Sequence, residues 1–253
     1  MPEGDTIHRV AMRLRSALVG SEIETAAAPS ARSPIHARAG ELAGRTLERA
    51  EARGKHLLLH FSGDVVVHSH LGMSGRWVVR GDGRMPYGRP WLVLASGAAV
   101  ASQNGGKILR MTSAARARND PMLAGLGPDP LAPGFDSSAA AERLLAYEPG
   151  VPVGEALLDQ SLIAGIGHVI RIEACFLPRV SPWRRVADVE PEEARAIVNA
   201  ASWVMETAIA KGSRPKRIYG RDRRPCPRCG GRILIRGQGD DNRVTYWCEG
   251  CQR

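Results

Sequence analysis

Leu126-Gly127-Pro128-Asp129-Pro130-Leu131-Ala132-Pro133-Gly134 is where the chain changes its period. Three prolines and two glycines in nine residues deny this stretch both a helical and a strand hydrogen-bond ladder, so it reads as a turn-rich linker. Upstream the apolar runs are short and β-like: Leu57 to Phe61, Val65 to His68, Arg76 to Arg80, Trp91 to Leu94 and Ala98 to Ala101, separated by Gly, Asp, Ser and Pro. That cadence fits an antiparallel sandwich or barrel better than alternating βαβ units. One helix precedes these runs, starting after Pro2, with Ile7, Val10, Leu14 and Leu18 at near-helical spacing, Asp5 as its cap and Gly20 as its stop.

Downstream of the linker the period is helical. Helices are expected over 137–147 behind Asp136, over 153–161, over 168–176 with Val169, Ile172, Cys175 and Phe176 on one face, and over 191–211. The last starts on Pro191 with Glu192 and Glu193 beside it and ends at Lys211-Gly212, which matches the polarity of a helix dipole. Ala164-Gly165-Ile166-Gly167 joins the second and third helices. A Gly-x-Gly turn there puts backbone N–H groups at a helix N-terminus where an anion can be held, although close helix packing alone would also explain the glycines. The segments are therefore 1–132, 133–220 and 221–253, an α+β multidomain chain.

The third segment is set by its cysteines. Cys226-Pro-Arg-Cys229 and Cys248-Glu-Gly-Cys251 stand eighteen residues apart, a spacing that brings four thiolates to one tetrahedral Zn²⁺. Arg232 to Arg236 and Arg243 to Trp247 read as two strands about the turn at Gly237 to Asp241, so the unit is a β-hairpin zinc finger. Such a small piece buries too little apolar surface to fold alone, and metal binding supplies the difference. With four thiolates the site is closed and structural. Cys175 is most simply a core residue.

The formal net charge of +9 is unevenly placed. Lys211 to Arg253 holds twelve basic residues and four acidic ones, a net +8, and the remainder of the chain is close to neutral. This asymmetry suggests a nucleic-acid or anionic-membrane contact surface at the C-terminus, or a merely soluble basic face. Lysine is scarce, with four residues against 31 arginines, which makes Lys55 conspicuous inside an apolar run. The longest uncharged apolar stretch, around Trp91 to Ala101, is too short to span a membrane, and the N-terminus has charges where a signal peptide would be apolar. A cytosolic protein is expected.

Met1-Pro2-Glu3-Gly4-Asp5-Thr6 places a small residue second, so the initiator Met can be removed and the secondary amine of Pro2 exposed beside a carboxylate. A deprotonated amine of this kind attacks aldehyde-equivalent carbon. On the hexapeptide alone the plain start of a helix is the favoured reading.

Pro2-Glu3-Gly4, Arg53-Gly54-Lys55-His56-Leu57-Leu58, His68-Ser69-His70-Leu71-Gly72-Met73-Ser74-Gly75, Leu126 to Leu131, Leu157-Leu158-Asp159-Gln160 with Gly165-Ile-Gly167, and the Cys₄ finger containing Arg243-Val-Thr-Tyr-Trp-Cys248 occur in one order. In that order the sequence resembles the formamidopyrimidine-DNA glycosylase and endonuclease VIII family of base-excision repair enzymes over essentially its whole length. The resemblance implies an N-terminal β-sandwich with a flanking helix, a helix–two-turn–helix domain and a zinc finger, with damaged or abasic double-stranded DNA across the cleft. It makes Pro2 the nucleophile at C1′, Glu3 the group that moves protons, and Lys55 the residue that protonates or stabilises the deoxyribose as the base leaves. Met73 becomes a wedge filling the gap left by an extruded base. Arg243 becomes a phosphate holder that assists the second elimination. His70, Gly167 and His168 fall at DNA-binding positions, and Cys226, Cys229, Cys248 and Cys251 at the zinc. A snorkelling strand lysine and core filler are the plainer readings of Lys55 and Met73.

Two departures sharpen the expectation. His168 and Ile170 stand where the family usually has Asn and an aromatic; an imidazole can still donate to phosphate, and would do so more strongly when protonated. Gly105-Gly106-Lys107-Ile108 occupies the stretch where the oxidised-purine branch carries an Arg-Arg-Phe void-filling loop, which favours the endonuclease VIII side and oxidised pyrimidines. The expected protein is a monomer in the bacterial cytosol that excises oxidised bases and nicks the strand by β,δ-elimination. The competing classes are a non-catalytic binder of damaged or structured DNA that keeps the fold, and a zinc-ribbon RNA-binding accessory protein. Pro2, Glu3 and Lys55 together argue against both.

Overall fold

The computed structural model describes residues 1–253, which divide into two compact units, Met1–Ala124 and Gly125–Arg253. The first unit opens with helix α1 (Gly4–Leu18) and continues through β1 (Thr25–Ala27), β2 (Leu47–Arg53), β3 (His56–Phe61), β4 (Val65–His70), β5 (Arg76–Arg80), β6 (Leu92–Ser96), β7 (Ala99–Asn104) and β8 (Ile108–Thr112). Two short helices, α2 (Ala114–Arg118) and α3 (Pro121–Ala124), close it. The strands form two antiparallel four-stranded sheets, in the orders β1-β6-β7-β5 and β2-β3-β4-β8. Ile7, Val10, Ala11, Leu14 and Leu18 bury one stripe of α1 in the same core as Leu57, Leu59, Phe61, Val67, Leu92 and Leu94. Alternation along β3 and β4 turns the intervening residues to the other face of their sheet.

The second unit contains α4 (Ser137–Leu145), α5 (Val153–Ala156), α6 (His168–Phe176), α7 (Pro191–Lys211) and the hairpin of β9 (Ile233–Gln238) and β10 (Arg243–Cys248). Its main core joins Ala140, Ala141 and Leu144 to Ile170, Ala174 and Cys175 and to the α7 stripe of Ile197, Val198, Ala201, Val204 and Met205. A second cluster packs Ile172 and Phe176 of α6 against Ile218, Cys226, Ile233 and Cys248. The cysteine hairpin thereby shares apolar surface with the helix that starts at His168.

Helix ends explain several boundaries. α7 begins with a capping box between Glu190 and Glu193 behind Pro191 and ends at Gly212, which takes φ +73. α1 is capped by Glu3 and not by Asp5, which lies inside the first turn, buried, and within 3.6 Å of Arg9. α5 is four residues long, shorter than the expected 153–161, because Gln160 takes over the turn. Its amide donates to the Leu158 and Ile166 carbonyls and its Oε1 accepts from the Gly165 N–H, building a looped entry into α6. Gly127 lies against this loop so tightly that a Cβ would come within 2.5 Å of the Ser161 and Leu162 carbonyls. β1, β2, β8, α2 and α3 were outside the sequence expectations, which read only unbroken apolar runs.

Candidate functional site

In the first unit, Glu3 is the N-cap of α1 and is fully buried. It forms a reciprocal capping box with Thr6, whose hydroxyl accepts the Glu3 N–H at 3.5 Å. Pro2, the residue before this cap, is half-buried, while Met1 is exposed. Lys55 is not within a strand, as a snorkelling role would need. It occupies the two-residue turn between β2 and β3, where Gly54 supplies φ +55 and Arg53 pairs with His56. Lys55 is half-buried there, and its charge helps to hold the neighbouring imidazoles of His56 and His70 below their ordinary pKa.

His70 ends β4, and its Nδ1 accepts the Gly72 N–H at 3.1 Å. Burial first, then Lys107 and Lys55, push its pKa down to about 4. Met73 lies on the tight turn that follows, which is closed by the Gly75 N–H on the Leu71 carbonyl at 2.9 Å. Its side chain is 77% exposed, so it is not core filler. The turn Gly105–Lys107 between β7 and β8 packs directly beneath. Lys107 N–H bonds the His70 carbonyl at 2.7 Å, and a Cβ on Gly106 would come within 3.1 Å of the same oxygen. This close packing leaves a three-residue turn in place of a protruding loop.

In the second unit, Gly167 is the N-cap of α6 and His168 its first residue. His168 is 8% exposed, and its Nδ1 is buried with no hydrogen-bond partner. Burial, followed by Arg171 and Arg243, lowers its pKa to about 4, so the imidazole is neutral near pH 7. The stronger, protonated form of the contact therefore does not arise near pH 7, and any contact with an anion there comes from a neutral ring. Arg243 begins β10 opposite Gln238 and is held by Asp241, whose Oδ2 accepts from Nη2 at 2.7 Å and from Nε at 3.1 Å.

Two buried ionic residues of α6 were missed by sequence reasoning, although each stands out as a charge on an apolar helix. Arg171 donates to Gln238 Oε1 at 2.5 Å, to Thr245 Oγ1 at 2.7 Å and to the Gly154 carbonyl at 3.1 Å, tying α5, α6 and both strands of the hairpin together. Glu173 accepts from the backbone N–H groups of Arg217, Ile218 and Tyr219 at 2.9 to 3.1 Å, which orders the basic segment after α7. Burial raises its pKa against those bonds.

The four cysteines place their Sγ atoms within 4.8 Å of one another, with Cys226 and Cys251 at 3.8 Å and Cys229 and Cys248 at 3.5 Å. Tetrahedral zinc thiolates require sulfur separations of about 3.8 Å, so the set fits one metal ion.

The fold is shared with solved structures. Lactococcus lactis Fpg in complex with DNA containing an abasic site has the same fold, with a TM-score of 0.85 at 20% identity, covering 99% of each chain. These features define a protein of the Fpg-like fold: a sandwich carrying a buried carboxylate at its first helix, a helical unit, and a four-cysteine hairpin. Residues 1–111 match the formamidopyrimidine-DNA glycosylase N-terminal domain, and residues 126–218 match its H2TH domain. A probable endonuclease 8 2 of Streptomyces coelicolor is 37% identical over all of this chain and 94% of its own length. The DNA-(apurinic or apyrimidinic site) lyase Nei2 of Mycolicibacterium smegmatis is 35% identical over all of this chain and 99% of its own. The chain belongs to the formamidopyrimidine-DNA glycosylase and endonuclease VIII family, on the endonuclease VIII-like side.

Proposed function

We propose that the chain is a DNA glycosylase and abasic-site lyase of base-excision repair that acts through the amine of Pro2, exposed by removal of Met1, on oxidised bases and foremost on pyrimidines. The observation that carries the reading is Glu3, a carboxylate with no exposure to solvent, fixed at a helix N-cap next to that amine. A carboxylate in this position is available for proton transfer at the reacting sugar.

The Pro2 nitrogen attacks C1′, and the electron pair of the glycosidic bond leaves with the base. Opening of the C1′–O4′ bond, with a proton delivered to O4′, gives an iminium; Glu3 and Lys55 are the groups that move that proton. Loss of a C2′ proton then expels the 3′ phosphate, and a second elimination expels the 5′ phosphate. Met73, exposed on its turn, fills the space left by the extruded base, as apolar wedges do. His70, Gly167 and His168 hold backbone phosphate, and Arg243 exchanges Asp241 for a phosphate as DNA binds. Cys226, Cys229, Cys248 and Cys251 hold one structural Zn²⁺, which fixes the hairpin that presents Arg243. Segments 1–132, 133–220 and 221–253 divide these tasks into chemistry, grip and finger. No helix is long and apolar enough to cross a membrane, and the protein is proposed to act on double-stranded DNA as a monomer in the bacterial cytosol.

Product analysis tests the reading. Duplex DNA with one oxidised pyrimidine is expected to yield a one-nucleotide gap with phosphate at both ends. An intact strand, or a cut that stops after the first elimination, would contradict it.

A further inference from the structure

His56, His68 and His70 lie on the same face of the β2-β3-β4-β8 sheet as Arg110. His56 stands opposite His70 across β3 and β4, and His68 opposite Arg110 across β4 and β8. His56 is 5% exposed and His68 is fully buried. Arg110 donates to His68 Nδ1 from Nε at 3.1 Å and from Nη2 at 3.0 Å, and is itself ion-paired with Asp120.

The chemistry of these groups fixes their protons. A guanidinium has donors and no acceptor, so His68 Nδ1 carries a lone pair and its proton is on Nε2. His68 Nε2 is 2.9 Å from His56 Nδ1; His68 therefore donates, His56 accepts, and the His56 proton is also on Nε2. The Gly72 N–H forces the same tautomer on His70, whose ring centre is 4.7 Å from that of His56. The tautomers of His68 and His56 are thus dictated from Arg110, at the far end of the array, up to the residue that follows Lys55.

We propose that Arg110, His68 and His56 are positioning residues for base excision, a relay that keeps the imidazoles beside Lys55 neutral and oriented so that no ring next to the Lys55 ammonium carries a competing proton. The proposal rests on the reading of Lys55 given above. The groups facing the array agree with it. Lys55 adjoins it on the turn, Lys107 on the loop before β8, Arg53 and Glu51 on β2, His60 on β3, and Arg118 on α2 flanks the same face. The two carboxylates are already engaged, Glu51 with Arg49 and His60, and Asp120 with Arg110, so neither compensates a protonated ring. Burial and the surrounding cations hold His56 at about 3 and His68 at about 4.

The test uses zinc-loaded full-length protein with ¹⁵N-labelled histidine. Imidazole spectra are recorded from about pH 5 to 8, the window in which an ordinary histidine titrates. Excision of an oxidised pyrimidine and cutting at a preformed abasic site are measured over the same range. In the wild type, His56 and His68 are expected as neutral Nε2–H forms throughout. In Arg110→Gln, where the side chain can accept as well as donate, His68 is expected to titrate inside the window. Excision then falls about tenfold at the acid end in kcat with little change in KM, and abasic-site cutting is less affected. Arg110→Lys, which keeps a donor-only cation, is expected to restore the wild-type spectra and profile. Nδ1–H tautomers, or titration of His56 or His68 in the wild type, would overturn the relay. Titration in Arg110→Gln with an unchanged excision profile would overturn its role in positioning. The spectra read the relay whether or not DNA is cut, so its failure is separable from failure of the Lys55 reading, which the excision arm reports.

Discussion

At the start of α1 the N-cap is a carboxylate, Glu3, buried and tied to Thr6; at the start of α6 it is Gly167, with no side chain to offer, followed by His168 with a buried Nδ1 that has no hydrogen-bond partner. Both helix starts carry the positive end of a dipole, which favours negative charge. In α1 the chain's own carboxylate occupies that place, so the end is unsuited to phosphate and suited to a developing cation such as an iminium. In α6 the glycine cap leaves the polar work to a neutral imidazole with Arg171 and Arg243 near enough to depress its pKa. In the proposed function one protein thus uses the same backbone feature in two ways, for proton transfer in one unit and for an anion in the other.

The largest expected effect lies at the first helix. Glu3→Gln keeps a hydrogen-bonding cap yet removes the carboxylate, and should lower base excision by roughly 10²- to 10⁴-fold while cutting at a preformed abasic site falls less. Equal losses in single-turnover assays on the two substrates would remove the distinction between the helix starts. In the second unit, Cys248→Ser should lose the metal and unfold the hairpin, as metal analysis and circular dichroism would show. It should also flatten the salt dependence of duplex binding from a log–log slope of about −4 to −5, the value for roughly five phosphate contacts. An unchanged slope would place the DNA surface elsewhere.

At α6, His168→Ala should weaken duplex binding by about tenfold, the scale of one hydrogen bond to a charged group, and His168→Asn should recover most of it. Because the ring is already neutral, titration of DNA between about pH 6 and 8 should reveal no ionisation from this residue. Stability should separate the units as well. His56, His68 and His70 are neutral in the folded sheet, with values near 3 to 4, and regain ordinary values near 6.5 when unfolded. The unfolded chain therefore binds more protons between those limits. The contribution is complete about one unit above pH 6.5 and is lost as pH falls toward 4, by about 2 kcal/mol at pH 5 for each of the buried His56 and His68. Hydrogen exchange should find the amides of β3 and β4 losing protection ahead of those of α7. The smallest effect is expected at the hairpin tip, where Asp241→Asn releases Arg243 and should tighten binding about two- to threefold, in keeping with a partly exposed ion pair.

The sandwich, α1, α6, α7 and the cysteine hairpin were legible because each announces itself through period, cap or spacing. β2 was not, since Leu47-Glu-Arg-Ala-Glu-Ala-Arg53 carries its apolar side chains on one face only and reads as polar. The candidate site residues Pro2, Glu3, Lys55 and the cysteines were legible as motifs, and the structure gives them surroundings. What stayed hidden was tertiary: Arg110 meets His68, 42 positions away, only because β4 and β8 pair, and Arg171 meets Thr245 only when the hairpin folds onto α6. The state of His168 stayed hidden as well, since burial first, then Arg171 one turn along α6 and Arg243 on β10, decide it.

The central claim is that the chemistry starts at the Pro2 amine. Borohydride trapping on abasic-site duplex, with zinc-loaded protein whose N-terminus is either processed or acetylated, followed by mass mapping of the adduct, tests it most directly. A covalent adduct is expected on the peptide beginning at Pro2 in the processed protein and none in the acetylated one. Equal trapping of both forms, with the adduct on the peptide containing Lys55, would contradict it.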